Sequence, residues 1–244
     1  MNLKQPLETY HEPITIKKFD KQDMEYCQDL FLQDKEIHVW TVRWRHIIPW
    51  IITNWQLMSA EEKNYVERFR LYEDRMRGAT GKILTRTLLA QYMNIPIHDI
   101  CINTGYYGKP YLANVIPERS VQYSVSHSGE IVLLSLGKFP KIGVDIEQIR
   151  EFPDCLEIAQ NFFTSEESRK ISESRSSSTF FRYWTAKEAY VKALGEGLNK
   201  DLKSFEIKRN RICERGSMLA DWQVVPIEIS SEYSANVAVR IEGE

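Results

Sequence analysis

No run of this 244-residue chain approaches the ~18 consecutive apolar residues of a membrane-spanning helix, so no membrane association is expected. Positive charge is not in excess: 32 Lys and Arg stand against 34 Asp and Glu, a formal net charge of −2, which argues against a nucleic-acid partner. Cysteine is sparse. Cys27, Cys101, Cys155 and Cys213 lie far apart and none belongs to a CxxC pair, which speaks against a structural zinc site or a disulfide framework and for reduced, mostly buried thiols. Met1 to Asp20 lacks the apolar core of a secretory signal, and a cytoplasmic protein is expected. What is present, 43% hydrophobic and 27% charged residues, suits one large compact domain or two small ones packed together.

The chain is organised around Trp184-Thr185-Ala186-Lys187-Glu188-Ala189-Tyr190-Val191-Lys192. Phe180, Trp184, Val191 and Leu194 recur at roughly helical spacing, and Gly195 stands where a left-handed residue ends a helix. Trp184, Glu188 and Lys192 follow at i, i+4 and share one face. Upstream, Gly143-Val144-Asp145-Ile146-Glu147 alternates as a strand, turning Asp145 and Glu147 one way and Val144 and Ile146 into a core. Each fragment by itself is ordinary: a Glu–Lys rung is usually solvated, and two acids on a strand face are usually its wet side. Together, two strand carboxylates and a third from a helix supply the hard oxygen ligands that Mg²⁺ takes, with positions left for phosphate oxygens.

Around these motifs, Ile14-Thr15-Ile16 reads as a short strand and Lys21 to Leu32 as a short helix. Ile37 to Val42 alternates as a strand, and the following stretch with Trp44, Trp50 and Trp55 is expected in the core rather than on a base-stacking surface. Ser59-Ala60-Glu61-Glu62 has the form of a capping box and opens a helical region to about Asn94, with a break or kink expected near Gly78 or Gly81. There Ile83, Leu84, Leu88 and Leu89 face the core by period, while Arg75, Arg77, Lys82 and Arg86 are expected near solvent, where one of them meets a phosphate. Thr104 to Pro110 reads as a hairpin turn with Lys109 at its tip. Val121 to Val125 and Glu130 to Leu136 read as strands joined by the turn Ser126-His127-Ser128-Gly129. That leaves His127 accessible, able to donate to a diphosphate and to be drawn toward its charged form. Pro153 to Phe163 reads as a helix, Thr164-Ser165-Glu166-Glu167 caps the next, Ser172 to Ser178 reads as a flexible loop, and Phe205 to Ile207, Trp222 to Ile229 and Ala235 to Ile241 read as strands.

The acidic strand motif, followed some forty residues later by the Trp184 to Lys192 helix, resembles the signature of the Sfp-type phosphopantetheinyl transferases. Tyr107-Gly108-Lys109-Pro110 and Ser124-Val125-Ser126-His127-Ser128 are similar to that branch's two preceding motifs, so the resemblance runs from about Ile37 to the C-terminus. It implies an α+β fold of two similar halves related by pseudo-twofold symmetry, residues 37–140 and 141–244 after an extension of 1–36, with the active site in the cleft between them. The implied reaction moves the 4'-phosphopantetheine of coenzyme A onto a serine of an apo acyl or peptidyl carrier protein and releases adenosine 3',5'-bisphosphate. Its expected setting is nonribosomal peptide or polyketide biosynthesis, antibiotics included, and its expected form a pseudo-dimeric monomer.

Carried over position by position, the resemblance implies that Asp145, Glu147 and Glu188 surround Mg²⁺. Glu188 would take the serine proton, and Lys192 would sit over the diphosphate, with Lys187 a lesser neighbour. Gly108, Lys109 and Pro110 would line the adenine end, Ser126 and His127 would touch the ribose phosphate and diphosphate, and Arg77 would add positive charge. The chain departs from the family at Glu62 and Tyr65, where basic residues are common, and at Gly78, where a threonine is common. The carrier protein is expected against Gln148 to Ile171, with Phe152 and Phe162 as exposed contacts, although burial of Phe162 and Phe163 suits the pattern equally. Two readings of other classes stay open: an Mg²⁺-dependent enzyme acting on another nucleotide diphosphate, and a non-catalytic module that binds carrier proteins.

Overall fold

The structure, a computed structural model, describes residues 14–22, 30–113 and 121–241; Cys27 and most of the helix expected over Lys21 to Leu32 lie outside them. In chain order the elements are β1 (Thr15–Phe19), β2 (Glu36–Arg43), α1 (Ile48–Thr53), α2 (Ala60–Glu67), α3 (Tyr72–Met93), β3 (Cys101–Thr104), β4 (Pro110–Ala113), β5 (Gln122–Ser128) and β6 (Ile131–Gly137). There follow β7 (Lys141–Gln148), α4 (Cys155–Phe162), α5 (Ser165–Ser174), α6 (Ser177–Leu194), β8 (Phe205–Lys208), β9 (Arg211–Glu214), β10 (Ser217–Met218), β11 (Trp222–Pro226) and β12 (Tyr233–Arg240).

The chain runs through one sequence of elements twice. A strand, short helices, a long helix, a hairpin and two further strands make each half, so β2, α3, β3–β4, β5 and β6 correspond to β7, α6, β8–β9, β11 and β12. The sheets agree: β2-β6-β5 and β7-β12-β11 have the same order and are antiparallel throughout, with β1 added in parallel beside β2. A buried ion pair repeats as well. The capping-box Glu62 before α3 meets Arg86 of α3 at 2.6 Å, and the capping-box Glu167 of α5 meets Lys187 of α6 at 2.8 Å. Each cation also donates to the chain entering the next hairpin, Arg86 to the Ile100 carbonyl and Lys187 to those of Leu202 and Phe205. These are two similar α+β halves.

Period-two alternation places the cores. Val132, Leu134 and Leu136 of β6 pack under α3 with Trp40, Ile83 and Leu88, whereas Ile131 and Leu133 point the other way, to a core shared with Val144 and Ile146 of β7 and Val237 and Val239 of β12. Trp44 is buried as its sequence setting predicts, while Trp50 and Trp55 are half-buried against the same core. The third cluster lies between α6 and the opposite face of the second sheet.

Several expectations change. The helical region breaks at 68–71, not at its glycines, because Glu73 and Asp74 open a new first turn there and Leu71 is extended. Gly78 and Gly81 stay inside α3 for closeness: a Cβ at Gly81 would lie 3.3 Å from Val125 Cγ1, and one at Gly78 would lie 3.2 Å from the Phe69 ring. Arg86 is buried rather than near solvent, its charge matched by Glu62. Ser172 to Ser178 is hardly a loop, since α5 runs to Ser174 and α6 starts at Ser177, with Arg175 in the left-handed region between them.

The halves meet at an unusual joint. β5 and β7 are neighbouring sheet edges, and the amides of Val144, Ile146 and Gln148 donate to the hydroxyls of Ser124, Ser126 and Ser128 at 3.0, 3.4 and 3.0 Å. Side-chain oxygens thus satisfy edge amides that would otherwise need water or another strand. Laddered to Leu133, Val132 and Ile131 of β6 and tied to β7 by the serine hydroxyls, Ser126 to Ser128 continue β5 instead of forming the expected turn, which begins only at Gly129.

On the other side of β7, α6 comes close enough to exclude any side chain at Gly143, where an added Cβ would lie 2.2 Å from the Ala189 carbonyl and 2.3 Å from the Ala193 nitrogen. Gly143→Ala should therefore displace the helix or the strand and cost about 3 kcal/mol or more, read as a fall in the urea midpoint. A shift within about 0.5 kcal/mol of the parent would mean that this contact does not set the helix position.

Candidate active site

The acids of β7 and the face of α6 come together as their spacing implies. Val144 and Ile146 are fully buried in the shared core, Asp145 is 4% exposed and Glu147 is half-buried on the α6 side. The α6 helix ends at Gly195, whose φ of 78° supplies the left-handed terminus. Trp184, Glu188 and Lys192 line a cavity of about 490 Å³ with Asp145 and Glu147, and the first half closes it with Gly78, Gly81, Val125, Ser126 and His127. The site lies in the cleft between the halves.

Lys192 Nζ is 2.6 Å from Asp145 Oδ1 and donates to Ser126 Oγ at 2.9 Å, while Ser126 Oγ donates to Asp145 Oδ1 at 2.8 Å. Ser128 donates to Glu147 Oε2 at 2.7 Å. Asp145 Oδ2 is buried without a hydrogen-bond partner, a costly position for a carboxylate oxygen. Burial raises the pKa of Glu188, and the charges of Asp145 and Glu147 raise it further against the opposing pull of Lys192. Burial raises Glu147 too; the Ser128 hydrogen bond opposes that shift and Asp145 adds to it. The three acids therefore repel one another across one small space.

Among the described residues no three His, Cys, Asp or Glu side chains are gathered into a ready-made metal cage. The carboxylates line one cavity, and Asp145 Oδ1 is held by Lys192. Their chemistry still fits a hard divalent cation: an unpartnered buried oxygen and two carboxyl groups destabilised in their charged form are what such an ion relieves.

The other expected residues divide. His127 is exposed at the cavity, and its pKa is lowered from the ordinary histidine value by loss of solvation and then by Arg77 and Lys192; the expected pull toward the charged form was that of a neighbouring diphosphate. Arg77 is oriented by Asp74 and by the Gly129 carbonyl, to which it donates at 2.7 Å. Pro110 borders the cavity and a larger cleft of about 1300 Å³, which Gly108 also lines.

Lys109 is not a free cation at a hairpin tip. Its ammonium turns into the second half and donates to the carbonyls of Ile142 at 3.0 Å and Ala193 at 2.9 Å, its stem packs on Gly195, and burial with Lys141 lowers its pKa to about 8. Lys187 is fully buried against Glu167 and touches no part of the cavity, so its expected place in the coenzyme site is corrected to a structural one. Its spacing from Glu188 turns it to the helix's inner side.

Glu62 is likewise occupied, by Arg86 and the Ser59 amide, which leaves Tyr65 and Lys82 as the side chains shared by both cavities near that position. Lys82, one of the four cations of which one was expected to meet a phosphate, lines the cavity, as does Tyr123, which sequence reasoning passed over; Ser128 was read only as part of a turn and reaches the site through Glu147. Ser124, Ser126 and Ser128 at i, i+2, i+4 carried the legible signal of one strand face. Between the two candidates for carrier contact, Phe162 is 53% exposed, and Phe152 is half-buried on Phe180 and Phe181; Phe163 is buried.

Comparison with known proteins places the chain in a family. Residues 42–137 match the family model for the N-terminal part of 4'-phosphopantetheinyl transferase, and residues 141–237 match that of the 4'-phosphopantetheinyl transferase superfamily. The chain is 30% identical over 182 residues to the 4'-phosphopantetheinyl transferase HetI of Nostoc sp., covering 73% of this chain and 76% of that one. This chain belongs to the 4'-phosphopantetheinyl transferase family. It is also 32% identical over 170 residues to the transferase gsp of Aneurinibacillus migulanus, covering 68% and 67% of the two chains, and 32% identical over 154 residues to Sfp of Bacillus subtilis, covering 62% and 66%. Within this transferase chain the buried Lys187 yields a stability prediction. Lys187→Met leaves Glu167 buried without its cation and should cost about 3–5 kcal/mol in urea unfolding, and the double variant with Glu167→Gln should recover part of that loss. A near-neutral single variant would show that the pair contributes little.

Proposed function

We propose that this chain transfers the 4'-phosphopantetheine of coenzyme A to a serine of an apo acyl or peptidyl carrier protein, giving the holo carrier and adenosine 3',5'-bisphosphate. The observation that carries this reading is the cleft between the halves, where Glu188 and Lys192 of α6 stand beside Asp145 and Glu147 of β7 and face Ser126 and His127 of β5. Family membership supports the reaction class. The resemblance of the motifs to the Sfp-type branch is the ground for inferring carriers of nonribosomal peptide or polyketide synthesis, and the protein acts as a cytoplasmic, pseudo-dimeric monomer whose working units are residues 37–140 and 141–244.

Asp145, Glu147 and Glu188 would hold Mg²⁺, which when bound offsets the negative charge of phosphate oxygens and of the leaving group. The remaining chemistry belongs to side chains. The carrier serine Oγ forms the new bond to the phosphorus that bears pantetheine, and the bond from that phosphorus to the bridging diphosphate oxygen breaks. Glu188, its carboxyl shifted upward by burial and by its acidic neighbours, accepts the serine proton, directly or through a water. The leaving oxygen stays on the adenosine bisphosphate, where the Lys192 ammonium, fixed by Asp145 and Ser126, balances its charge. His127 and Arg77 add positive or donor groups along the diphosphate. Gly108 and Pro110 bound the nucleotide end, with Lys109 holding the hairpin from behind through Ile142 and Ala193.

The test is the intact mass of an apo peptidyl carrier incubated with the protein, coenzyme A and Mg²⁺, beside EDTA and carrier serine-to-alanine controls. A metal-dependent gain of one phosphopantetheine on the serine is expected. No gain on peptidyl, fatty-acid or polyketide carriers despite coenzyme A binding would favour the non-catalytic binding module, and no coenzyme A binding would favour an enzyme of another nucleotide diphosphate. Glu188→Gln should lower kcat by about 10²-fold or more without lowering the urea midpoint, because the amide keeps the shape and loses the basicity and the disfavoured charge. Near-parental turnover would remove Glu188 from the proton step.

A further inference from the structure

Three serines of β5 make the same bond to β7 but carry different loads. Each accepts the amide of the residue twenty positions on, which gives a constant register along the joint. The residue one place earlier on β7 differs: Gly143 opposite Ser124, Asp145 opposite Ser126 and Glu147 opposite Ser128. Ser124 therefore only joins the halves. Ser126 also donates to Asp145 and takes a hydrogen bond from Lys192, so its proton and its second lone pair are spent within the cavity.

We propose that Ser128 is a positioning residue for the metal carboxylates, setting the orientation of Glu147 from the opposite half of the molecule. This rests on reading Asp145, Glu147 and Glu188 as metal ligands. A hydroxyl has one proton, and that of Ser128 goes to Glu147 Oε2 at 2.7 Å while its oxygen is held by the Gln148 amide at 3.0 Å. The hydroxyl is fixed from both sides, and Glu147 Oε1 is left as the carboxylate oxygen that Ser128 does not engage. The backbone behind it is fixed too. Gly129, with φ of 55°, passes so close to the second half that a Cβ would lie 2.6 Å from both Gln148 Oε1 and Tyr233 Oη, and the Tyr233 hydroxyl accepts the Glu130 amide at 3.1 Å. A serine anchored in one half thus aims a carboxylate of the other, so the acid is in place only when the halves are in register.

The experiment titrates Mn²⁺ into the full chain saturated with coenzyme A, following binding by calorimetry, with urea midpoints measured in parallel. Ser124→Ala and Ser128→Ala each lose one bond of the joint, and each should lower the urea midpoint. Ser124→Ala should keep parental Mn²⁺ affinity within about two-fold, Ser128→Ala should lose about ten-fold, the usual scale for a hydrogen-bonded partner of a ligand, and Ser128→Thr should restore it. Equal Mn²⁺ affinities in the two alanine variants, with the parent binding Mn²⁺, would overturn the positioning role and leave the metal reading standing. No Mn²⁺ binding by the parent would overturn the metal reading and the proposal with it.

Discussion

Everything at the site depends on two sheet edges meeting without a backbone ladder. β5 and β7 lie side by side, yet the amides of β7 donate to serine hydroxyls rather than to carbonyls. A hydroxyl can accept and donate at once, which a carbonyl cannot, so the atoms that close the sheet edge also hold Asp145 and Glu147. The joint and the acidic cluster are one piece of structure. An ordinary strand pairing would have joined the halves and left the carboxylates without these partners.

The second constraint is the closeness of α6 to β7. Gly143 lets the helix backbone rest on the strand, and this contact brings Glu188 and Lys192 over Asp145 and Glu147. Burial then strains the charged form of Glu188 and Glu147, while Lys192 offsets part of the repulsion at Asp145. The site concentrates negative charge where water is scarce, an arrangement that favours a cation or a proton-accepting carboxylate. Lys187, on the same helix, has the opposite role, because its charge is neutralised by Glu167 and contributes to holding α6 in place.

The repeated capping-box pairs explain how two halves with different duties keep one architecture. Glu62–Arg86 and Glu167–Lys187 tie each preceding short helix to its long helix and then to the chain entering the next hairpin. In the first half this repeat consumes Glu62, so its charge does not face the cleft unmatched. In the second half it leaves the opposite face of α6 free to carry the acid and the lysine of the site.

From the sequence alone the strand over Asp145 and Glu147, the helix ending at Gly195, the two capping boxes and the shared face of Trp184, Glu188 and Lys192 were determined, because each depends on spacing or on a residue's local backbone preference. The α+β class and the two halves followed from the family resemblance that the ordered motifs carry. Tertiary structure decided what local pattern cannot carry: that Gly78 and Gly81 serve packing rather than a kink, that Arg86 and Lys187 are buried because a distant glutamate meets each, and that Lys109 turns inward to carbonyls of the other half. It also converted Ser126 to Ser128 from a turn into an edge strand: the ladder to β6 runs on to Ser128 opposite Ile131, and the serine hydroxyls meet a row of β7 amides about twenty residues further along the chain only when the two edges lie together.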